Sequence, residues 1–479
     1  MAPTTKTERR RGILGGVTGK VELAAAIMAI ALGAGVLGGA AAASRSLPSS
    51  AASPRASQQH LGGTVSIWAE WTSSEQTAFE AALKPFEKKT GITVNYSGKG
   101  SNMDTALEAA VQGGAPPDVA LVPDPGTLRT LARQGKIRPL APVLGSLVKN
   151  YGAAWNRLAS FNRKLYGVWF KAANKNTVWY NPAEFAVAGI KSPPKTWEQL
   201  IADAAALQAS GIAPFSLCTD IGWPVADFWQ NLYLKTAGAA NYNRLATHTM
   251  KWTNPTVTRA FRVFAQLVGK PAYLLGGTQG ALASTYPECV DKVFPRAGTL
   301  PRAAMVFEGD FVVSEITLNS KKYHAGIVGK GGKACTADVR KSPCYDFVPF
   351  PAPAADAANR GAIQGAGDVG MLLNPTPQAK ALIRYLASAQ AGAIWAHLGG
   401  FTSPNKTVPL SAYPDPVTRA DAQELVSAKS FVFSLDDLQG TWEPKLWKDM
   451  LSFVRNPSTA NVKSLEKTMD AQATAAMGH

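Results

Sequence analysis

A chain of 479 residues is too long for one ordinary hydrophobic core, so two domains are expected. With 46% hydrophobic and only 17% charged residues, it is not a largely disordered protein. The net charge of +16 does not mark a nucleic-acid binder: residues 1–60 hold seven Lys/Arg against two acids, net +5, and the remaining +11 is dispersed without a basic, aromatic-rich cluster.

In chain order, Arg9-Arg10-Arg11 precedes an uncharged apolar run over residues 23–43. Residues 1–43 read as a signal peptide, with Ala41-Ala42-Ala43 as the small-residue cleavage site, or as an N-terminal membrane anchor, since the run is long enough to span a bilayer. Residues 44–60, rich in Ser, Pro and Ala, read as a flexible linker. Either way the body of the protein is exported.

Residues 64–96 form the first strand–helix–strand unit. Val65, Ile67 and Trp68 predict a short buried strand. Ser73 with Gln76 three residues on predicts a capping box. Ala78, Phe79, Ala82, Leu83 and Phe86 then recur at helical period, and Gly91 stops the helix. Ile92-Thr93-Val94 begins the second strand. Glu70 and Trp71 follow the carboxyl end of the first strand, where open α/β sheets bind ligands. Residues 101–112 predict a helix, and 118–122 a buried strand that delivers Asp124 to the same crevice. The fold class is therefore α/β.

Residues 166–169 and 177–180 read as extended pieces on either side of Lys171-Ala172-Ala173-Asn174. Thr196 caps a helix. The densest aromatic stretch runs from Ile221 to Trp229, and Ala303-Ala304-Met305-Val306 is a short strand before Glu308-Gly309-Asp310-Phe311. Gly365-Ala366-Gly367-Asp368-Val369-Gly370 reads as a loop entering a strand at 369–373. Cys218, Cys289, Cys335 and Cys344 are an even number in an exported chain, which favours two disulfides; of three pairings, Cys218–Cys289 with Cys335–Cys344 is expected. No CxxC pair or neighbouring His accompanies them, so no metal site is expected.

Several short pieces recur here in a known order: Trp179-Tyr180-Asn181-Pro182, Pro194-Lys195-Thr196-Trp197, Gly222-Trp223-Pro224 with Asp227, Ala304-Met305 with Gly309, Gly365-Ala366-Gly367-Asp368, and residues 399–406 (GGFTSPNK). In this the sequence resembles the extracellular solute-binding proteins of carbohydrate ABC transporters, the maltose-binding-protein group, and within it the α-glucoside-type branch. The resemblance runs from about residue 62 to residue 465. It implies a two-lobe, type II periplasmic-binding-protein-like fold with lobes that close on sugar by hinge motion. Lobe one would be 61–172 plus 350–402, and lobe two 173–349 plus 403–479, with crossings near 170–176, 345–350 and 400–406. Phe228 replaces the Trp of relatives, and Asp437-Leu438-Gln439-Gly440 stands for their Asp-Leu-Met-Pro.

Sugars are held by carboxylates and amides that bond hydroxyls and by rings that cover C–H faces. Glu70, Trp71 and Asp124 are candidates by position, with core packing for Trp71 and helix capping for Asp124 as the plain alternatives. Trp223, fixed between Gly and Pro, is the leading stacking candidate. Asp227 either bonds a hydroxyl or caps the helix beginning there. Asp310 and Phe311 match the position that, by the resemblance, faces the cleft from lobe two. Lys171, Asp368 and Asp437 complete the ligand-binding set. The resemblance implies a neutral sugar, an α-glucoside or another oligosaccharide, delivered to membrane permease subunits by a monomer, without a cofactor. The rivals are a secreted glycoside hydrolase, whose sites use the same residue types, and the same fold binding a non-sugar solute. No GxSxG, HExxH or Walker motif is present, and the five His are scattered, so no catalytic residues are assigned.

Overall fold

The structure, a computed structural model, describes residues 61–477 except 297, 320–322, 326–343, 429 and 440–441. The expected leader or anchor, the linker and Cys335 lie outside the described residues. Among the described residues no helix is long and apolar enough to cross a membrane.

Thirteen strands occur among the described residues, in chain order β1 Thr64–Ala69, β2 Thr93–Gly98, β3 Val119–Val122, β4 Ser160–Phe161, β5 Lys164–Leu165, β6 Gly167–Asn174, β7 Thr177–Tyr180, β8 Ala213–Phe215, β9 Ala303–Phe307, β10 His324–Ala325, β11 Cys344–Pro349, β12 Ala362–Leu372 and β13 Ser430–Phe433. They form two main sheets. The first runs β13-β12-β3-β1-β2, with β6 also paired to β12; the second runs β10-β11-β7-β9-β8. Parallel pairing of β1 with β2 and β3 follows from the helices that return the chain between them. Helix Ser73–Thr90 buries Ala78, Phe79, Ala82, Leu83 and Phe86, the face its periodicity predicts. Each fully buried Leu or Phe there contributes about 1.5–3 kcal/mol. Gly91 ends the helix at φ 70° and donates its N–H to the Glu87 carbonyl, as a left-handed cap should.

The chain passes from the first sheet to the second between β6 and β7, and back again between β11 and β12. Thr402 forms an isolated antiparallel bridge with Ala172 of β6. β6 carries one residue more than β12 at the middle of their ladder: Val369 faces Trp169 and Asp368 faces Lys171, leaving Phe170 as a bulge. The Cys218–Cys289 disulfide joins residues 71 apart with Cα atoms 5.4 Å from one another.

Three local expectations are corrected. The Ser73–Gln76 capping box does not form: the extended cap residue is Thr72, Ser73 is already inside the helix, and the Gln76 amide turns to Glu80 instead. Gly365 to Gly370 is not a loop but the middle of β12. Its glycines serve close backbone approach, since a Cβ on Gly367 would lie 2.5 Å from the Lys171 carbonyl oxygen and one on Gly365 2.8 Å from that of Ala173. Finally, β13 pairs with β12 in the first sheet, although the resemblance put all of 403–479 in the second lobe.

Candidate functional site

Two lysines on and just after β6 organise the region between the sheets. Lys171 faces Asp368 across the β6–β12 ladder and forms an ion pair with Glu75 in the first turn of helix Ser73–Thr90. Its ammonium lies 5.3 Å from the Trp395 ring centre, 5.7 Å from Phe311 and 5.9 Å from Trp71, within cation–π range. Burial opposes the Lys171 charge, but Glu75 and Asp368 outweigh it and hold its pKa above the ordinary lysine value. Glu70 leaves the end of β1 into this group; burial, Asp368 and Glu75 push its carboxyl well above the usual range. Burial likewise lifts Asp368 to about 7, against the pull of Lys171.

Lys175, past the end of β6, organises the second group. It lies 2.7 Å from Asp227 and 3.8 Å from Asp437, with the Trp223 ring centre 5.7 Å away. Asp227 also accepts from the Gln364 amide at 2.8 Å and the Ser434 hydroxyl at 3.2 Å. Burial raises Asp227 to about 7 although Lys175 favours its anion, and burial holds Asp437 well above the carboxylate range against the same lysine. Asp436 accepts from Gln230 at 2.8 Å and from the Trp447 indole at 2.9 Å.

Aromatic rings connect the groups. Trp223 opens helix Trp223–Ala246, is half-buried, and stands edge-on to Tyr286 at 5.8 Å, with Phe311 tilted at 6.1 Å. Gly222 before it has φ 106°, and a Cβ there would lie 2.8 Å from the Trp447 carbonyl oxygen. Gly222→Ala is therefore expected to destabilise the protein by about 1–3 kcal/mol and to displace Trp223, measured by denaturant unfolding and by tryptophan fluorescence.

The remaining predicted residues divide. Trp71 is fully buried, packed edge-on to Phe79 and Trp395 at 4.8 Å each, so its ring belongs to the first core. Asp124 caps helix Pro125–Arg133 through the Gly126 N–H at 2.5 Å. Asp227 does not cap its helix, because Gly222 occupies that position. Asp310 accepts from the Thr402 hydroxyl and forms no ion pair with Lys171 or Lys175 among the described residues. Glu75, Lys175, Tyr286, Glu308, Gln364, Trp395 and Asp436 were not singled out from the sequence. Lys175 alone had a signal, standing four residues after Lys171. Several buried acceptors of this region, Glu308 Oε1, Asp310 Oδ1, Asp368 Oδ1 and Asp437 Oδ2, have no hydrogen-bond donor among the described residues.

Residues 70–286 match the family described as bacterial extracellular solute-binding protein. The chain is 29% identical over 398 residues to the osmoprotective compounds-binding protein GgtB of Synechocystis sp., covering 81% of this chain and 88% of the relative. It is 27% identical over 425 residues to the alpha-glucosides-binding periplasmic protein AglE of Rhizobium meliloti, covering 86% and 88%. The bacterial solute receptor AcbH shares the fold with a TM-score of 0.73 at 20% identity, over 87% of this chain and 100% of that one. With a type II two-sheet architecture, a family match over residues 70–286 and relatives that align with about four-fifths of its length, the chain is similar to the bacterial extracellular solute-binding proteins.

Proposed function

We propose that this protein captures a neutral sugar, an α-glucoside or another oligosaccharide, between its two lobes and delivers it to the permease of an ABC importer without hydrolysing it. The observation that carries the reading is the mixture of unsatisfied buried carboxylate oxygens with the Trp223, Tyr286 and Phe311 rings. Hydroxyl groups supply the donors those oxygens need, and sugar C–H faces lie on rings. AglE, by its name, binds α-glucosides, and AcbH is described as preferring galactopyranose. Glu70, Lys171, Trp223, Asp227, Phe311, Asp368 and Asp437 would hold the ligand, with Asp310 beside them. Closure by population shift would then present a liganded monomer to the permease outside the membrane.

The test is a thermal-shift screen with mono-, di- and trisaccharides, using amino acids as controls. A bound sugar at a hundredfold excess over its Kd adds about 2.7 kcal/mol of stability and raises the melting temperature. Trp223→Ala is expected to weaken that sugar about tenfold, ~1.4 kcal/mol. No shift with any sugar overturns the carbohydrate reading, and hydrolysis products on chromatography overturn the reading as a pure binder.

A further inference from the structure

The positive charge of the body is scattered along the sequence but gathered by the fold. Residues 125–183 hold ten Lys/Arg and no Asp or Glu, and residues 369–414 hold three more, again without an acid. These two stretches therefore carry more than the whole +11 of residues 61–479, and the rest of the body is slightly acidic. They pack against each other: the Arg138 N–H donates to the Leu372 carbonyl and the Lys406 N–H to the Asn150 carbonyl, both at 2.9 Å, and the Asn150 amide donates to the Ala387 carbonyl at 3.4 Å. Among the described residues, Lys171 and Lys175 are the members of this set that form ion pairs. Arg129 is half-buried, and the other ten cations are exposed.

Six of the exposed cations surround one groove. Its volume is about 440 Å³, and Pro139, Pro142, Val148 and Leu165 line it together with Arg163 and Lys164. β4 and β5 pair as a hairpin whose two turn residues, Asn162 and Arg163, take φ 48° and 60°, leaving Arg163 and Lys164 exposed at its tip. Arg138, Lys149 and Arg157 each stand next in sequence to a lining residue, and Arg133 lies 5.8 Å from the ring centre of Phe161 in the hairpin. Pro139 and Pro142 are themselves exposed. The result is an apolar floor under a rim of one sign of charge.

We infer that this basic face docks on an anionic lipid bilayer. A small anion engages a few charges, whereas a charged sheet of headgroups engages all ten, and the apolar floor matches the acyl boundary beneath them. The entry of the chain points the same way. The Gln378 amide donates to the Gly62 carbonyl at 3.1 Å, and Gln378 belongs to helix Pro377–Leu386, which also carries Lys380 and Arg384. The described body thus begins at the margin of the basic face. Read as an anchor and a flexible linker, residues 23–43 and 44–60 would keep Gly62 on average about 20–25 Å from the bilayer. A tether of that length brings its own margin of the protein to the membrane first. This surface is additional to the proposed sugar cleft and does not depend on what the cleft binds.

The test is hydrogen exchange of the full chain on vesicles of phosphatidylcholine alone and of phosphatidylcholine with phosphatidylglycerol. Backbone amides of residues 139–165 should be protected on the anionic vesicles, unprotected on the neutral ones, and released again in about 0.5 M salt. This readout holds even where residues 23–43 insert into both kinds of vesicle, because it reports what covers the face. The triple variant Arg157→Gln/Arg163→Gln/Lys164→Gln should weaken docking by about fivefold per charge, on the order of a hundredfold in all. Lys191→Gln/Lys195→Gln/Lys251→Gln, which removes three exposed cations beside the other core, should leave it unchanged. Both variants alter exposed side chains, so their melting temperatures should match the wild type. Equal protection on the two kinds of vesicle, protection on neither, or equal loss in the two variants overturns the inference. Protection by polyglutamate with none by vesicles overturns the lipid assignment in favour of an acidic polypeptide.

Discussion

Replacing Lys175 with Met should lower the stability of the ligand-free protein by about 3–5 kcal/mol at a pH near 8. The substitution keeps the length and apolar stem of the side chain, so the loss isolates the ammonium. What remains is Asp227, formerly 2.7 Å from it, with Asp437 and Asp436 close by and no other ion-pairing cation among the described residues. Buried carboxylates stripped of their partner hold protons instead, so their pKa values rise further. Asp227 already titrates near 7 with Lys175 present. At a pH near 5.5 the protonated acids tolerate the loss, and the destabilisation should shrink well below its value at pH 8. Denaturant unfolding at the two pH values measures both numbers. A small loss that does not change with pH would mean that Lys175 is not the charge that holds these acids.

The second large effect concerns the disulfide. Loss of the Cys218–Cys289 bond in the Cys218→Ala/Cys289→Ala double variant frees a 71-residue loop in the unfolded chain. Loop-closure entropy puts the expected cost at about 4 kcal/mol, read as a lowered denaturant midpoint. The double variant separates this bond from any other, which a reducing agent cannot do. An unchanged midpoint would show that the loop stays constrained without it. The bond lies beside the buried residues Val290, Val293 and Trp179, so the substitution also removes two sulfur atoms from a packed cluster. That packing term adds to the entropic one in the same direction.

How much of this could be read from the residues depended on whether the signal was local. The helix at Ser73–Thr90 was legible because five apolar side chains recur at its period and glycine ends it. The place of Glu70 after the first strand was legible because the apolar residues before it predict that strand. The glycines of β12 misled because glycine commonly signals a turn, whereas here it admits the backbone of β6. Trp71 stood next to Glu70 in sequence but turned into the core with Phe79 and Trp395, a choice made by ring volume and not by position. Glu75, Gln364 and Asp436 were invisible because each acquires its role from partners more than ten residues away or on another segment. Pairing across such distances leaves no period or spacing to detect.

The bulge at Phe170 has a consequence for how this strand can change length. In an antiparallel ladder directly opposed residues point to the same side of the sheet, so Lys171 stands with Asp368, and Trp169 with Val369 on the other side. Two residues apart, Trp169 and Lys171 would share a side in a regular strand, and the extra residue between them is what lets them part. Deleting Phe170 would leave both pairs opposed and keep Lys171 on the side of Asp368. Deleting a paired residue such as Ala172 would instead slip the ladder beyond it by one and turn every side chain there to the other face. Length is thus free to change at the unpaired position and constrained on either side of it.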